Sequence, residues 1–187
     1  MTKEKVEIKN FVENLKVDKN VTSEQSREEL KSAYMDRSRE VYFIWKKLKE
    51  LYPDVDANKV VGEGCWDFGL YIGEQIAKKY GTTNLGPKEA LLGQTSRGGW
   101  LVFQQEILEL NDNKAVKIFK ACPHMEALKE LGLNKEEIKE FCRDILGRTD
   151  YAICASFKNV KIDFPTTIGD GEGYPCVMKI TKVKNKK

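Results

Sequence analysis

The sequence lacks the features that would place the chain in a membrane, on nucleic acid or in an oxidising compartment. No apolar run approaches the roughly 18 residues of a membrane span, and the start, Met1 to Lys5, lacks the apolar run of a signal peptide. The net charge is only +3, and no long basic stripe is interleaved with aromatic residues, so we expect no nucleic-acid partner. The five cysteines are an odd number without an export signal, which predicts reduced thiols and a cytoplasmic protein.

The totals predict one globular domain over residues 1–187. A hydrophobic fraction of 41% over 187 residues suffices for one real core and leaves little room for a second. Within this domain we expect residues 1–22 to be loosely held, with a short helix near 3–15. Residues 183–187 should form a solvated basic tail.

Two long helices should open the ordered part of the chain. Ser26 and Glu29 have capping-box spacing, and the helical pattern that follows runs to Tyr52, just before Pro53. A second helix should span 57–80 and end at Gly81. The aromatic content of 34–51 exceeds what one buried face needs, which makes this helix the expected surface if the chain forms a homodimer.

The second helix contains an unusual row of glycines. Gly62, Gly69 and Gly73 lie along one side with Trp66, although each glycine costs about 1 kcal/mol relative to alanine inside a helix. Two explanations remain open. Another helix packs closely there, or the row forms the wall of a ligand pocket together with Trp66 and Tyr71.

The rest of the chain predicts an α+β protein, with a small antiparallel sheet of two hairpins and short helices between them. A short helix should end near Leu92, with a loop over 93–99. Strands are expected over 100–110 and 115–121, joined by an Asn-Asp-Asn turn at 111–113. Helical segments should follow Pro123 and Asn134 and include 151–157; the last two strands should begin near Val160 and Cys176.

Cysteines concentrate in the second half of the chain and support three interpretations. In the first, Cys142, Cys154 and Cys176 are ordinary buried small residues. In the second, Cys122, His124, Cys142 and Cys176 supply ligands for zinc or iron, although no Cys-x-x-Cys pair is present. In the third, Cys122 lies at a helix start that lowers its thiol pKa and acts as a nucleophile, with His124 or Asp150 as its proton partner.

Asp150 is a separate candidate for acid–base chemistry. It lies beside Tyr151 between two cysteines, in a segment that turn formation alone does not explain. A buried carboxyl needs a partner or a raised pKa, and a raised pKa suits a general acid or base.

These residues resemble a known family. Cys122-Pro123, the helix 127–132, Cys142, Asp150-Tyr151, Phe157, and the Gly169-Asp170 turn before Cys176 are similar to the L-2-amino-thiazoline-4-carboxylic acid hydrolase family, over about the C-terminal third of the chain. The resemblance implies hydrolytic opening of a cyclic amidine-like C–N bond in a five-membered sulfur heterocycle, giving a carbamoyl-cysteine. The turn 171–175 is longer here than in that pattern.

Such a hydrolysis predicts roles for particular side chains. Cys122, Asp150 and His124 would be catalytic, and Arg143 or Arg148 would bind the substrate carboxylate. Trp66 and Tyr151 would complete the binding surface. The alternative is a non-catalytic module that binds a small molecule or a metal, similar to vinyl-reductase-type sensor domains.

Overall fold

The computed structural model describes residues 23–170, 173 and 175–183. The helix expected near 3–15, the loosely held segment 1–22 and all but the first residue of the basic tail lie outside these residues. Part of the Gly-rich turn 171–175 also lies outside them.

Two antiparallel helices form the first layer, as predicted. Helix α1 spans Ser23–Leu51 and helix α2 spans Ala57–Tyr80. The Asp56 carboxylate accepts a hydrogen bond from the backbone N–H of Lys59 (3.0 Å) and caps α2, which ends at Gly81 with a left-handed φ of 70°. The Trp45 indole N–H donates to the Asn58 side-chain oxygen (2.6 Å), which ties the two helices together.

The segment before the sheet differs from the prediction. Helix α3, Pro87–Gly93, is the predicted short helix. Where we expected a loop over 93–99 and a strand from Trp100, the chain forms helix α4, Arg97–Val102. The Ser96 hydroxyl accepts a hydrogen bond from the backbone N–H of Gly99 (3.0 Å) and caps α4. The local helix cap therefore outweighs the strand-compatible composition of this stretch.

The sheet has four antiparallel strands in the order β1-β2-β4-β3. The Asn111 side-chain oxygen closes the first hairpin by accepting from the backbone N–H groups of Asn113 (3.0 Å) and Lys114 (2.9 Å). The second hairpin joins the other two strands through a longer connection. The strands are β1 Gln105–Leu110, β2 Lys114–Phe119, β3 Val160–Asp163 and β4 Cys176–Lys182. The α+β class with two hairpins is confirmed.

Short helices connect the two hairpins. Asn134 and Glu137 form a reciprocal capping box, which starts the second of these helices where the sequence predicted it. A π-helical turn separates that helix from the next, and such turns frequently mark functional sites. The elements are α5 Pro123–Glu130, α6 Lys135–Phe141, the π-turn Cys142–Leu146, α7 Arg148–Ala155 and a 3₁₀ turn Ile168–Asp170.

The glycine row of α2 packs against α7, which supports the first explanation given for it. A Cβ added at Gly62 would lie 2.5 Å from the Asp144 carbonyl oxygen, and one at Gly69 would lie 2.6 Å from the Ala152 methyl group. The glycine row is therefore not a pocket wall. Tyr71, expected on that wall, is 59% exposed.

Two apolar clusters hold the fold. One lies between the sheet and helices α2, α3 and α7; the other lies among α1, α2, α5, α6 and the π-turn. Cys154 belongs to the first, Cys65 to the second, and Cys122 and Cys142 pack at the edge of the second. Among the residues described, no helix is long and apolar enough to cross a lipid bilayer.

Candidate active site

Three cysteines that are distant in sequence come together. Cys122 is the N-cap of α5, Cys142 begins the π-turn, and Cys176 begins β4 beside Phe119 of β2. After burial, the largest contributions raising the pKa of Cys122 are the charges that Cys142 and Cys176 would carry, and Cys176 acts in the same way on Cys142. The packing agrees: Cys122, Cys142 and Ile168 lie against the same apolar cluster, and the backbone N–H of Ile168 donates to the Cys176 sulfur (3.1 Å).

The prediction of a thiolate at the start of α5 is wrong. The backbone N–H groups of Met125 and His124 do interact with the Cys122 sulfur and lower its pKa, but burial outweighs them and raises that pKa well above the usual range. Burial also raises the pKa of Cys142 to about 12 and that of Cys176 to about 11. At neutral pH all three groups are thiols.

A buried lysine that the sequence analysis missed lies beside this cluster. Lys117 of β2 is only 1% exposed, and its ammonium donates to the Gln94 carbonyl (3.3 Å) and the Thr95 hydroxyl (3.2 Å). Burial lowers the pKa of Lys117 to about 8. Strand alternation could have revealed it, because Lys117 shares a sheet face with Ala115 and Phe119, and Phe119 pairs with Cys176.

Asp150 links the lysine to the thiols. Burial raises the pKa of its carboxyl group, while Lys117 and, to a smaller extent, Arg37 lower it. The Asp150 charge in turn raises the pKa values of Cys142, Cys154 and Cys176. Within the described parts of the chain, no ion pair or direct hydrogen bond engages the Asp150 carboxylate, so it is not committed to a structural partner.

An open depression of about 450 Å³ lies on the outer side of α7. The four side chains predicted to bind substrate all line it: Trp66, Arg143, Arg148 and Tyr151. Its other walls are Cys154, Ala155, Val160, Lys161 and Ile162. Helix α7 therefore carries Arg148, Tyr151 and Cys154 at the depression and Asp150 at the buried cluster.

Both arginines of the depression already have carboxylate partners. Arg143 makes two contacts of 2.6 Å with Asp144. Arg148 donates to the Gly62 carbonyl (3.0 Å) and to the Glu63 carboxylate (2.5 Å) and lies over the Trp66 ring. A ligand carboxylate would have to compete with Asp144 or Glu63 for these guanidinium groups.

His124 lies in a different environment from the one expected of a proton partner for Cys122. Its Nδ1 is 2.6 Å from the Ser38 hydroxyl of α1, and its ring packs against Tyr34 and Phe103. Burial lowers the pKa of His124 to about 4, so the ring is neutral at pH 7. Of the His124 atoms, only the backbone N–H interacts with the Cys122 sulfur among the described contacts.

The geometry does not fit a preformed zinc or iron site. In the part of the chain that is described, no group of three or more histidine, cysteine or acidic side chains is placed to hold a metal ion. We therefore derive no chemical step through a metal.

Comparison with protein-family models, with curated proteins and with solved structures finds no match for this chain. The resemblance to the thiazoline hydrolase family thus remains a prediction that depends on the residues quoted above.

Proposed function

We propose that the chain is a cytoplasmic hydrolase that opens a C–N bond of a small cyclic amidine bearing a carboxylate, as in a 2-amino-thiazoline carboxylic acid. The observation that carries this proposal is the position of Asp150. It is a carboxyl group with a raised pKa, near Lys117 and the thiols, on the same helix that presents Arg148 and Tyr151 to a depression. This combination offers proton transfer close to a surface that can bind an anion.

Asp150 is the proton carrier in the proposed reaction. It removes a proton from water as the water oxygen bonds to the carbon of the amidinium ion, and it passes that proton to the ring nitrogen. As the C–N bond breaks, the hydroxyl group of the tetrahedral intermediate loses its proton through the same carboxylate to the leaving nitrogen, which leaves the carbamoyl C=O and a free amine. A raised carboxyl pKa favours this exchange because it brings the group closer to neutral pH. Lys117 opposes the effect of burial, since its charge lowers the pKa of the Asp150 carboxyl group.

The cysteines have a different role from the one first expected. A thiol with a strongly raised pKa is a poor nucleophile, so water takes the place of the Cys122 thiolate. Of the five cysteines, only Cys154 lines the depression, and its neutral, polarizable sulfur is the one that would contact the sulfur heterocycle. A bound amidinium cation would lower the thiol pKa values, and Cys122→Ala tests whether Cys122 contributes to the chemistry.

Turnover of 2-amino-thiazoline-4-carboxylate by the purified full-length chain tests the proposal, with the carbamoyl product measured by mass spectrometry in ¹⁸O-labelled water. We expect one labelled oxygen per product. Asp150→Asn should reduce kcat by about 10²- to 10⁴-fold. Asp112→Asn, in the exposed turn between β1 and β2, is the matched control and should keep full activity.

An inactive parent chain, or an Asp150→Asn variant with full activity, would exclude this assignment.

A non-catalytic small-molecule binding module is the second candidate. It is favoured by the lining of the depression, which includes Arg148 and Tyr151 but not Asp150, the proposed proton carrier. Calorimetric titration with the same compound separates the two candidates. Saturable binding without product supports the module, and product formation supports the hydrolase.

A further inference from the structure

The outer surface of the α1–α2 helix pair is unusually apolar. Seven large side chains on it or at its rim are between 42% and 65% exposed. They are Phe43, Ile44 and Leu51 on α1, Tyr52 after it, and Val60, Phe68 and Tyr71 on α2. We call this surface the hairpin face.

The helical repeat explains why the apolar residues of α1 line up on the hairpin face. On α1, Ile44 and Leu51 are seven residues apart with Leu48 between them, so they lie on one stripe beside α2. Arg37, two turns further from the hairpin loop than Ile44, lies 4.8 Å over the Phe68 ring and marks the edge where α1 meets α2. A Cβ added at Gly64 would have no atom within 4 Å, so the surface of α2 is open at this position.

The exposed area matches what an interface requires. A large side chain about half exposed offers about 100 Å², so the hairpin face presents roughly 700 Å². The largest apolar patch on a typical monomer is about 300–600 Å². A stable interface buries about 800 Å² per partner. The summed exposed area of these seven residues therefore approaches the area that one partner contributes to a standard interface.

Charges on the outer side of α1 make this surface complementary to itself. Glu40 and Lys47 are exposed and lie at equal distances in sequence on either side of Phe43 and Ile44, and Lys47 also pairs with Glu50 of its own helix (2.5 Å). When two α1 helices pack antiparallel about a two-fold axis near these residues, Glu40 of each copy faces Lys47 of the other. Charges of both signs at the rim are the pattern for a second copy and not for an anionic lipid surface.

We propose that the hairpin face is an isologous interface at which two copies of this chain pack antiparallel through α1, with Val60, Phe68 and Tyr71 of α2 at its flanks. The proposal is independent of the chemistry at Asp150, because the interface residues do not line the depression.

Light scattering after size-exclusion chromatography tests the interface on the full-length chain. We expect a particle of twice the 21.4 kDa chain mass. Ile44→Lys places a charge at the centre of the interface and should raise the dimer dissociation constant by at least about 30-fold. Leu108→Lys is the matched control: Leu108 is 56% exposed on the sheet, away from the hairpin face, and its variant should remain a dimer.

Charge exchange tests the antiparallel arrangement directly. Glu40→Lys and Lys47→Glu should each weaken the dimer, because each variant places two like charges opposite one another at two symmetric positions. The double variant Glu40→Lys/Lys47→Glu should recover most of the parent affinity. Failure of this rescue would overturn the antiparallel α1 arrangement.

A parent chain that stays monomeric at high micromolar concentration would overturn the proposal, as would an Ile44→Lys variant that dimerises like the parent. A monomer that binds phosphatidylglycerol vesicles through this face would also overturn it in favour of a lipid surface. Circular dichroism of each variant confirms that the helices are intact.

Discussion

The interior and the rim of the candidate site differ in the partners that they give to positively charged side chains. Inside, Lys117 has two neutral hydrogen-bond acceptors and only the more distant charge of Asp150. At the rim, Arg143 and Arg148 each contact a carboxylate of the chain. Burial lowers the pKa of the interior lysine to about 8, whereas carboxylates of the chain hold the two rim guanidinium groups. In the proposed function, proton transfer belongs to the interior and ligand binding belongs to the rim.

The largest expected effect is a loss of stability at alkaline pH, caused by the interior thiols. An unfolded thiol ionises near about pH 8.5, whereas burial raises the pKa of Cys142 and of Cys154 to about 12. Above that pH the unfolded state loses protons first, so the free energy of unfolding falls by up to about 1.4 kcal/mol per pH unit for each buried thiol. Urea unfolding at pH 7.5 and pH 10 measures the fall.

Between pH 7.5 and pH 10, the free energy of unfolding of Cys154→Ala should fall by about 2 kcal/mol less than that of the parent. Equal losses in the two proteins would mean that the Cys154 thiol is not responsible.

Lys117 should affect the pH dependence of the free energy of unfolding in the direction opposite to that of the buried thiols. Its pKa is about 8 when folded and about 10.4 when unfolded. Between these values the folded state holds fewer protons, so Lys117 adds stability as pH rises, about 3 kcal/mol in total. Lys117→Met lacks this contribution. The stability of Lys117→Met relative to the parent should therefore fall by about that amount between pH 7 and pH 10.

Lys114→Met is the control for this comparison, because Lys114 is on the same strand and pairs with Glu109 near the surface. A difference between Lys117→Met and the parent that does not vary with pH would contradict the folded-state pKa of Lys117.

The smallest expected effect on stability is at the rim. Arg148→Gln removes an ion pair with Glu63 whose side chains are 34% and 53% exposed. Such pairs contribute about 0–1 kcal/mol, so the melting temperature should change little. If the depression binds a carboxylate, the same variant should raise KM for that ligand by about tenfold or more. An unchanged KM would remove Arg148 from the binding surface.

The sequence predicted the elements whose signals are local. Gly81 and the Asn134–Glu137 box end and begin helices through their own backbone contacts, which nearby residue types are enough to specify. Helix α4 was missed because the strand-compatible residues from Trp100 onward outweighed a single Ser96 cap.

For the site, sequence reasoning identified residues but misjudged their electrostatics. Trp66, Arg143, Arg148 and Tyr151 do share one depression. The state of Cys122 depends instead on burial by other elements, and burial outweighs the helix-end effect that the sequence displays. Lys117 was missed because a lysine in a strand usually faces solvent. The alternation of β2 nevertheless places Lys117 on the buried face of the sheet.

The glycine row of α2 determines how closely α7, and with it Asp150, is held. A Cβ added at Gly69 would overlap the Thr149 carbonyl oxygen, and one at Gly73 would lie 2.8 Å from the Ile153 carbonyl oxygen, so the backbones of α2 and α7 pack in direct contact. This close contact restrains the position of α7 relative to α2. A larger residue at position 69 should push α7 away from α2. This should move the Asp150 carboxyl group away from the thiols without altering any residue of the site.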